Sequence, residues 1–584
     1  MIVNTAQAHQ FHIPVMGLGF TIDTPFKLSH LGINSAVSVM EDDLLEKMRA
    51  HYSKIYNRSY SPIDKSEFDA RALRVKAYIE LMHEVTESLF KQGVDQICGN
   101  SEFESKYMEL LPDNSPLLQL YKTYLNNPDN KELLEHVKSK MYKGRIELNI
   151  MTKIDRPAYN NKGIELSPEF SDAKAALRGI AESAADVSIV FSAGFNPGLY
   201  TYCEKFLDFY PDKNGKQRKQ IVLKVSDYRS ARVQGLFFAK KGIWVSEFRI
   251  ESGLNCGGHA FVSEGTLMGP VLQEFKDKRQ QLLEELFQTC QTALQNKGFK
   301  LFKEQPALRI TAQGGIGNSE ENELLLKFYN LDSCGWGSPF LLVPEATSVD
   351  DSTLEKLIKA QQEDYYLSHA SPLGVPFNNL RGSSSDTQRR KRIEAGKPGS
   401  PCYKKFLSFN TEFTDKPICT ASRQYQHKKI QKIREEYGNT AIADRKVESV
   451  LEKDCLCEGL GSSALQVHGI SHDYGLDAVA ICPGPNLAYF SGVFTLQQMC
   501  SHIYGKINIL NQINRPHMFI NELKLNIDYW VQHIKNKIDE EQNTALFEKY
   551  RSNLLKGIEY YLSVYKDLKV YMQSNNEAFL NQLD

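Results

Sequence analysis

Two glycine clusters and one histidine carry the chemistry that the residue types of this chain allow. Ile310-Thr-Ala-Gln-Gly-Gly-Ile-Gly317 is followed, one helical stretch later, by Cys334-Gly-Trp-Gly-Ser-Pro-Phe340. Gly314, Gly315 and Gly317 let backbone N–H groups approach an anion, and a helix starting behind them adds its positive end. Alone, Gly-Gly-Ile-Gly reads equally well as a tight turn from strand to helix. Two such segments separated by one helix favour a phosphate site. The third segment, Glu251-Ser-Gly-Leu-Asn-Cys-Gly-Gly-His-Ala260, follows an apolar run and ends on His259. An unperturbed imidazole titrates at about 6.5, so a histidine here can exchange a proton with a bound molecule near neutral pH. Lys224, in Leu223-Lys-Val-Ser-Asp227, is either a cation facing an anionic ligand or a partner of Asp227 or Glu251.

These residues need a frame that gathers them at one end. Short runs rich in β-branched residues alternate with longer helical patterns, as in parallel strands joined by crossover helices. The candidate strands are Ile13–Gly17, Ser35–Met40, Val187–Ser192, Ile221–Ser226, Ile243–Ile250, Leu308–Gln313, Cys334–Leu342 and Tyr365–His369. Eight strands suit a closed α/β fold, the (β/α)₈ TIM barrel, whose active sites gather at the C-terminal ends of the strands. On this count the glycine segments end the sixth and seventh strands. The barrel is expected over 11–41 and 184–381, with a helical insertion over 42–183 and a C-terminal extension over 382–584. Arg381–Ser400 reads as a solvated loop, Pro401–Cys482 as a Cys-bearing segment, and Thr495–Asp584 as a helical tail.

A chain of 584 residues exceeds one ordinary core, in keeping with a barrel plus additions. The 70 Lys and Arg balance the 71 Asp and Glu, so no nucleic-acid or membrane partner is expected. Met1–Gln10 has no leader pattern and no apolar run is long enough to span a bilayer, so the protein reads as soluble and cytoplasmic. Eleven cysteines suit reduced thiols better than a disulfide framework. Cys402, Cys419, Cys455 and Cys457 fall in one segment, with Cys482 before a Pro-Gly-Pro. Their irregular spacing leaves zinc, an iron–sulfur cluster and simple packing all open.

The order of these segments resembles the nitronate monooxygenase (2-nitropropane dioxygenase) family of FMN barrels. The family's Glu-Ala-Gly-Gly-His is similar to Asn255-Cys-Gly-Gly-His259, its Ala-Gly-Gly-Ile to Gln313-Gly-Gly-Ile316, and its Gly-Thr-x-Phe to Gly337-Ser-Pro-Phe340, followed by Glu345-Ala346. Its Pro-Met-Ala turn and Thr-Pro are similar to Pro14-Val-Met-Gly17 and Thr24-Pro25. The resemblance covers Phe11 to about Arg381, interrupted by the insertion. It implies FMN phosphate held by the backbone of Gly315, Gly337 and Ser338, flavin contacts at Met16, Ser192, Lys224, Ser252 and Gly257, and His259 as catalytic acid or base. Lys224 would sit near the flavin N1 and O2. Asn255-Cys256 departs from the family's Glu-Ala, and Ser252 stands where a flavin-contacting Gln is common. Both departures weaken any assignment of substrate.

Three functions follow as expectations. The first is an FMN oxidoreductase acting at carbon on a small or acyl substrate, its flavin reoxidised by oxygen, as the resemblance implies. The second is a flavin-dependent enoyl-thioester reductase, because enoyl-acyl-carrier-protein reductases look like the same barrel with a similar Gly-Gly-His. The third is a barrel without redox chemistry that binds a phosphate ligand. The insertion is read as a lid or a subunit contact, which leaves self-association open.

Overall fold

The computed structural model describes residues 7–98, 101–160, 162–192, 194–536, 544–572 and 576–583. Parts of the N-terminal stretch, the insertion and the helical tail fall outside these ranges. Eight parallel strands close into a barrel: β1 Phe11–Ile13, β2 Asn34–Ser38, β3 Ile146–Met151, β4 Val187–Ser192, β5 Lys219–Val225, β6 Val245–Glu251, β7 Arg309–Gln313 and β8 Ser333–Gly335. Closure is made by β1 on β8, with Phe11 opposite Cys334 and His12 opposite Gly335. The chain is a (β/α)₈ TIM barrel, as expected, but one of its strands is not among those expected and one expected strand lies outside it.

Ile146–Met151 lies in the stretch read as a helical insertion, yet it pairs with β2 and β4. Parallel barrel strands are usually near-continuous apolar runs. This one points Glu147 and Asn149 into the barrel, where Arg249 donates to Glu147 at 2.8 Å and to Glu247 at 2.6 Å. A polar layer inside the barrel hid the strand. Conversely, Tyr365–Ser368 (β9) pairs antiparallel with Phe377–Leu380 (β10) as a two-stranded sheet outside the barrel. The glycine segments therefore end β7 and β8, the positions where barrels of this kind most often hold phosphate.

Within 42–183, helices Asp42–Ile55 and Ala70–Asp95 pack on the barrel together with Asp172–Glu182. The short helices between Glu102 and Lys140 enclose a small core of their own around Tyr107, Leu111 and Val137. After the barrel, helices Arg423–Tyr437 and Ala441–Leu451 pair over Ile433, Ala443 and Val450. The tail helices Met518–Asn536 and Thr544–Leu568 lie against the long helix Met268–Asn296, where the Gly269 N–H donates to the Tyr561 hydroxyl at 3.2 Å and the Tyr561 ring packs on Phe519. Among the described residues, no helix is long and apolar enough to cross a membrane.

Candidate functional site

The C-terminal ends of the strands surround one cavity of about 200 Å³. Met16, Ser192, Lys224, Gly257, His259, Gly315, Gly337 and Ser338 all line it. Residues more than 300 positions apart in sequence are brought together because every βα loop of a barrel opens on the same face. Ser252 is the exception. Its buried hydroxyl donates at 2.6 Å to Glu522 of the helical tail, so it anchors the tail and does not line the cavity.

At one end of the cavity is a backbone cradle. Gly314 and Gly315 adopt φ of 123° and 76°, a region that side chains rarely tolerate. A Cβ on Gly315 would lie 1.9 Å from the Asn255 amide. The N–H groups of Gly315, Gly337 and Ser338 are engaged by no hydrogen bond among the described residues. The expected help from a following helix is not available. That helix, Ser319–Glu323, is short, and Glu321 already occupies its start, accepting from the N–H of Gly317 at 2.8 Å and of Met518 at 2.7 Å.

The cradle is braced by residues that the sequence did not single out. Arg515 donates to Glu321 at 2.7 Å, to the Gly315 carbonyl at 2.5 Å and to Asn486 at 2.7 Å. Asn486 in turn donates to the Ile316 carbonyl at 2.9 Å. All of these side chains are buried. The Cys482-Pro-Gly-Pro segment closes the same end: Gly258 donates to the Cys482 carbonyl at 2.9 Å, and Gly484 donates to Ser338 Oγ at 2.7 Å. A Cβ on Gly257 would come within 2.5 Å of that Cys482 carbonyl, so this glycine makes room for the C-terminal segment as well as lining the cavity.

The floor of the cavity is polar. Lys224 pairs with Glu251 at 2.7 Å, and Gln313 donates to the same carboxylate at 2.7 Å. Two buried amide oxygens that border the cavity, Asn149 Oδ1 and Gln313 Oε1, have no hydrogen-bond partner among the described residues. Such atoms are costly unless a ligand or water supplies a donor. Cys256 packs here with its thiol 3.5 Å from the Gln313 carbonyl. Burial, reinforced by Glu251, pushes that thiol well above its ordinary range.

Also on the cavity wall, His259 Nε2 lies 2.8 Å from Ser371 Oγ, and the ring rests 4.9 Å from that of Phe377. Burial, then the nearby Lys153 ammonium, lower its pKa to about 4. The expected acid or base near 6.5 is therefore a neutral imidazole at pH 7. With Nε2 held by Ser371, Nδ1 is the atom left to meet a ligand. The remaining wall is apolar, and the extension contributes Phe406, Leu407, Leu456, Leu460 and Ile481 to it beside barrel residues such as Phe20, Met40 and Ile154.

Cys402, Cys419, Cys455 and Cys457 come from separate segments into one neighbourhood beside this wall. Among the described residues, no three His, Cys, Asp or Glu side chains are grouped as a metal ion requires.

No family model and no curated protein matches this sequence. Solved structures are similar to it. A mutant FabK from Thermotoga maritima is 12% identical, with a TM-score of 0.30 over 65% of this chain and 79% of that one. The enoyl reductase domain of MlnA, from the macrolactin biosynthesis cluster of Bacillus amyloliquefaciens, is 14% identical, with a TM-score of 0.31 over 70% of this chain and 87% of that one.

Proposed function

We propose that the protein is an FMN-dependent oxidoreductase whose cofactor lies across this cavity. The observation that carries the reading is the placement of three unengaged backbone N–H groups, at Gly315, Gly337 and Ser338, in the same cavity as Lys224 and His259. The residues fit the group. Backbone N–H donors suit a phosphate. The unpartnered oxygens of Asn149 and Gln313 suit the N–H and O–H donors that a flavin and its ribityl chain carry. Bound there, FMN would supply the electron transfer that protein side chains cannot.

The chain's own part is binding, orientation and one proton. Lys224 and Glu251 form a fixed ion pair at the floor, so the ammonium is held in place and its charge is partly offset. His259 is oriented by Ser371 and kept neutral by burial, ready to accept a proton at Nδ1. The apolar residues that line the same cavity lower the dielectric around both groups.

Nitronate oxidation is the first substrate reading, because it is what the resemblance of the Gly-Gly-His and glycine segments implies. Reduction of an enoyl thioester is the second. The apolar wall around Phe406, Leu407 and Leu460 favours it, since such a surface suits an acyl chain better than a small polar nitronate. Purified protein should be yellow and release FMN on denaturation; a colourless preparation that does not take up added FMN leaves only the non-redox ligand-binding reading. Fast bleaching of the flavin by NAD(P)H would favour the reductase. Bleaching by a nitronate without NAD(P)H would favour the monooxygenase.

A further inference from the structure

The four cysteines of the extension are not used by the proposed reaction, and two of them form a built pair. Residues 400–423 fold back on themselves: Ser400 bridges Ser422, and Asn410 bridges Ile418. Ser400 N–H donates to the Ala421 carbonyl at 2.9 Å, and Arg423 N–H returns to the Ser400 carbonyl at 2.9 Å. Within this folded-back segment the thiols of Cys402 and Cys419 approach each other within interaction range, flanking the loop that follows Cys402. The loop carries Phe406 and Leu407, which wall the cavity. From the other side, Tyr403 donates to Glu458 and Lys404 Nζ stands 3.4 Å from the same carboxylate, so the loop base is also pinned to the segment bearing Cys455 and Cys457.

The two thiols differ in the way that exchange chemistry needs. Cys402 is half-buried and reachable, whereas Cys419 is buried behind it. Cys402 also holds φ of 50°, a left-handed conformation uncommon for a side-chain residue and frequent at functional sites.

We propose that Cys402 and Cys419 form a reversible disulfide that clasps the loop walling the cavity, with a low-molecular-weight disulfide as the oxidant. The Cys402 thiolate attacks one sulfur of the small disulfide, forming a mixed disulfide and releasing one small thiol. Cys419 loses its proton and attacks Cys402 Sγ, and the second small thiol leaves carrying a proton. The protein gives up two electrons and two protons, and the small disulfide becomes two thiols. The hydrogen bond from Cys419, working against burial, brings the Cys402 thiol down to about 7, which supports its role as the attacking group. With the bond closed, Phe406 and Leu407 sit in a covalent ring; with it open, the loop is held by non-covalent contacts, its bridges and the pairing of Tyr403 and Lys404 with Glu458.

The inference does not depend on the flavin reading, because the test follows protein mass whatever the colour of the preparation. Folded full-length protein is treated with oxidised glutathione, its remaining thiols are blocked with a maleimide, and its peptides are mapped without reduction. The expected result is a single link between the peptides of Cys402 and Cys419, the loss of two reactive thiols, and full reversal by dithiothreitol. Cys419→Ser should stop at a glutathione adduct on Cys402, and Cys455→Ser should still give the link. The proposal is overturned if Cys402 pairs instead with Cys455 or Cys457, or if the link forms only in denaturant. Stoichiometric zinc, or iron with sulfide, in fresh protein and its release on thiol blocking would also overturn it.

Discussion

His259 illustrates how a residue's type and its setting divide the work. The Gly-Gly-His segment points to a proton-exchanging imidazole, and burial beside Lys153 then moves its pKa down to about 4. On the proposed function the active base is the neutral form, so the limb of kcat/KM that belongs to His259 should be flat from neutral pH downward and fall only as pH drops through about 4. A limb near 6.5 would contradict the buried setting. His259→Ala should cost roughly 100-fold or more in turnover while leaving the flavin bound in full stoichiometry, which absorbance of the desalted variant measures. Gly315 is constrained differently. Its φ of 76° and the approach of Asn255 leave no place for a Cβ. Gly315→Ala should cost about 1–3 kcal/mol locally and, on the proposed function, weaken FMN binding by roughly tenfold or more, as read by fluorescence titration with added FMN.

At the scale of elements, the extension completes the barrel's mouth. Arg515 and Glu321 are 6% and 1% exposed, so removing one charge strands the other in the interior. Arg515→Met should destabilise the fold by about 3–5 kcal/mol, and pairing it with Glu321→Gln should recover much of that loss. Urea unfolding of the three variants decides it: a double variant no better than the single would mean that Arg515 acts through Gly315 and Asn486 alone. Such an arrangement was not legible in the sequence, because Arg515 lies in a polar stretch 200 positions from Gly315. The strand Ile146–Met151 was missed for a related reason. Its inward residues Glu147 and Asn149 face Arg249 and the cavity, so it lacks the continuous apolar run expected of a barrel strand and sits unmarked among helices. Tyr365–Ser368 had the composition of a strand and is one, but only pairing decides which sheet a strand joins.

At the scale of the whole molecule, titration of buried groups sets the response to acid. Burial lowers His9, His30, His259 and His517 to about 4 and His12 to about 3. Unfolding raises each toward about 6.5, so between these values the unfolded chain binds more protons and stability falls as pH drops. Burial raises Glu41 and Glu522 to about 7, which works in the opposite direction between about 4.5 and 7. Five histidines outnumber two carboxyls, so the melting temperature should fall between pH 6.5 and 4.5 in scanning calorimetry. A rise over that interval would mean that the carboxyls dominate. The sequence by itself determined the α/β barrel, its glycine turns and the histidine after them, because strand runs, φ requirements and turn residues are local properties. The tertiary structure decided that Ser252 serves the tail, that Lys224 pairs with Glu251, that His259 is neutral and that the extension walls the cavity. Each of those depends on which distant groups share a low-dielectric space, and no local pattern encodes that.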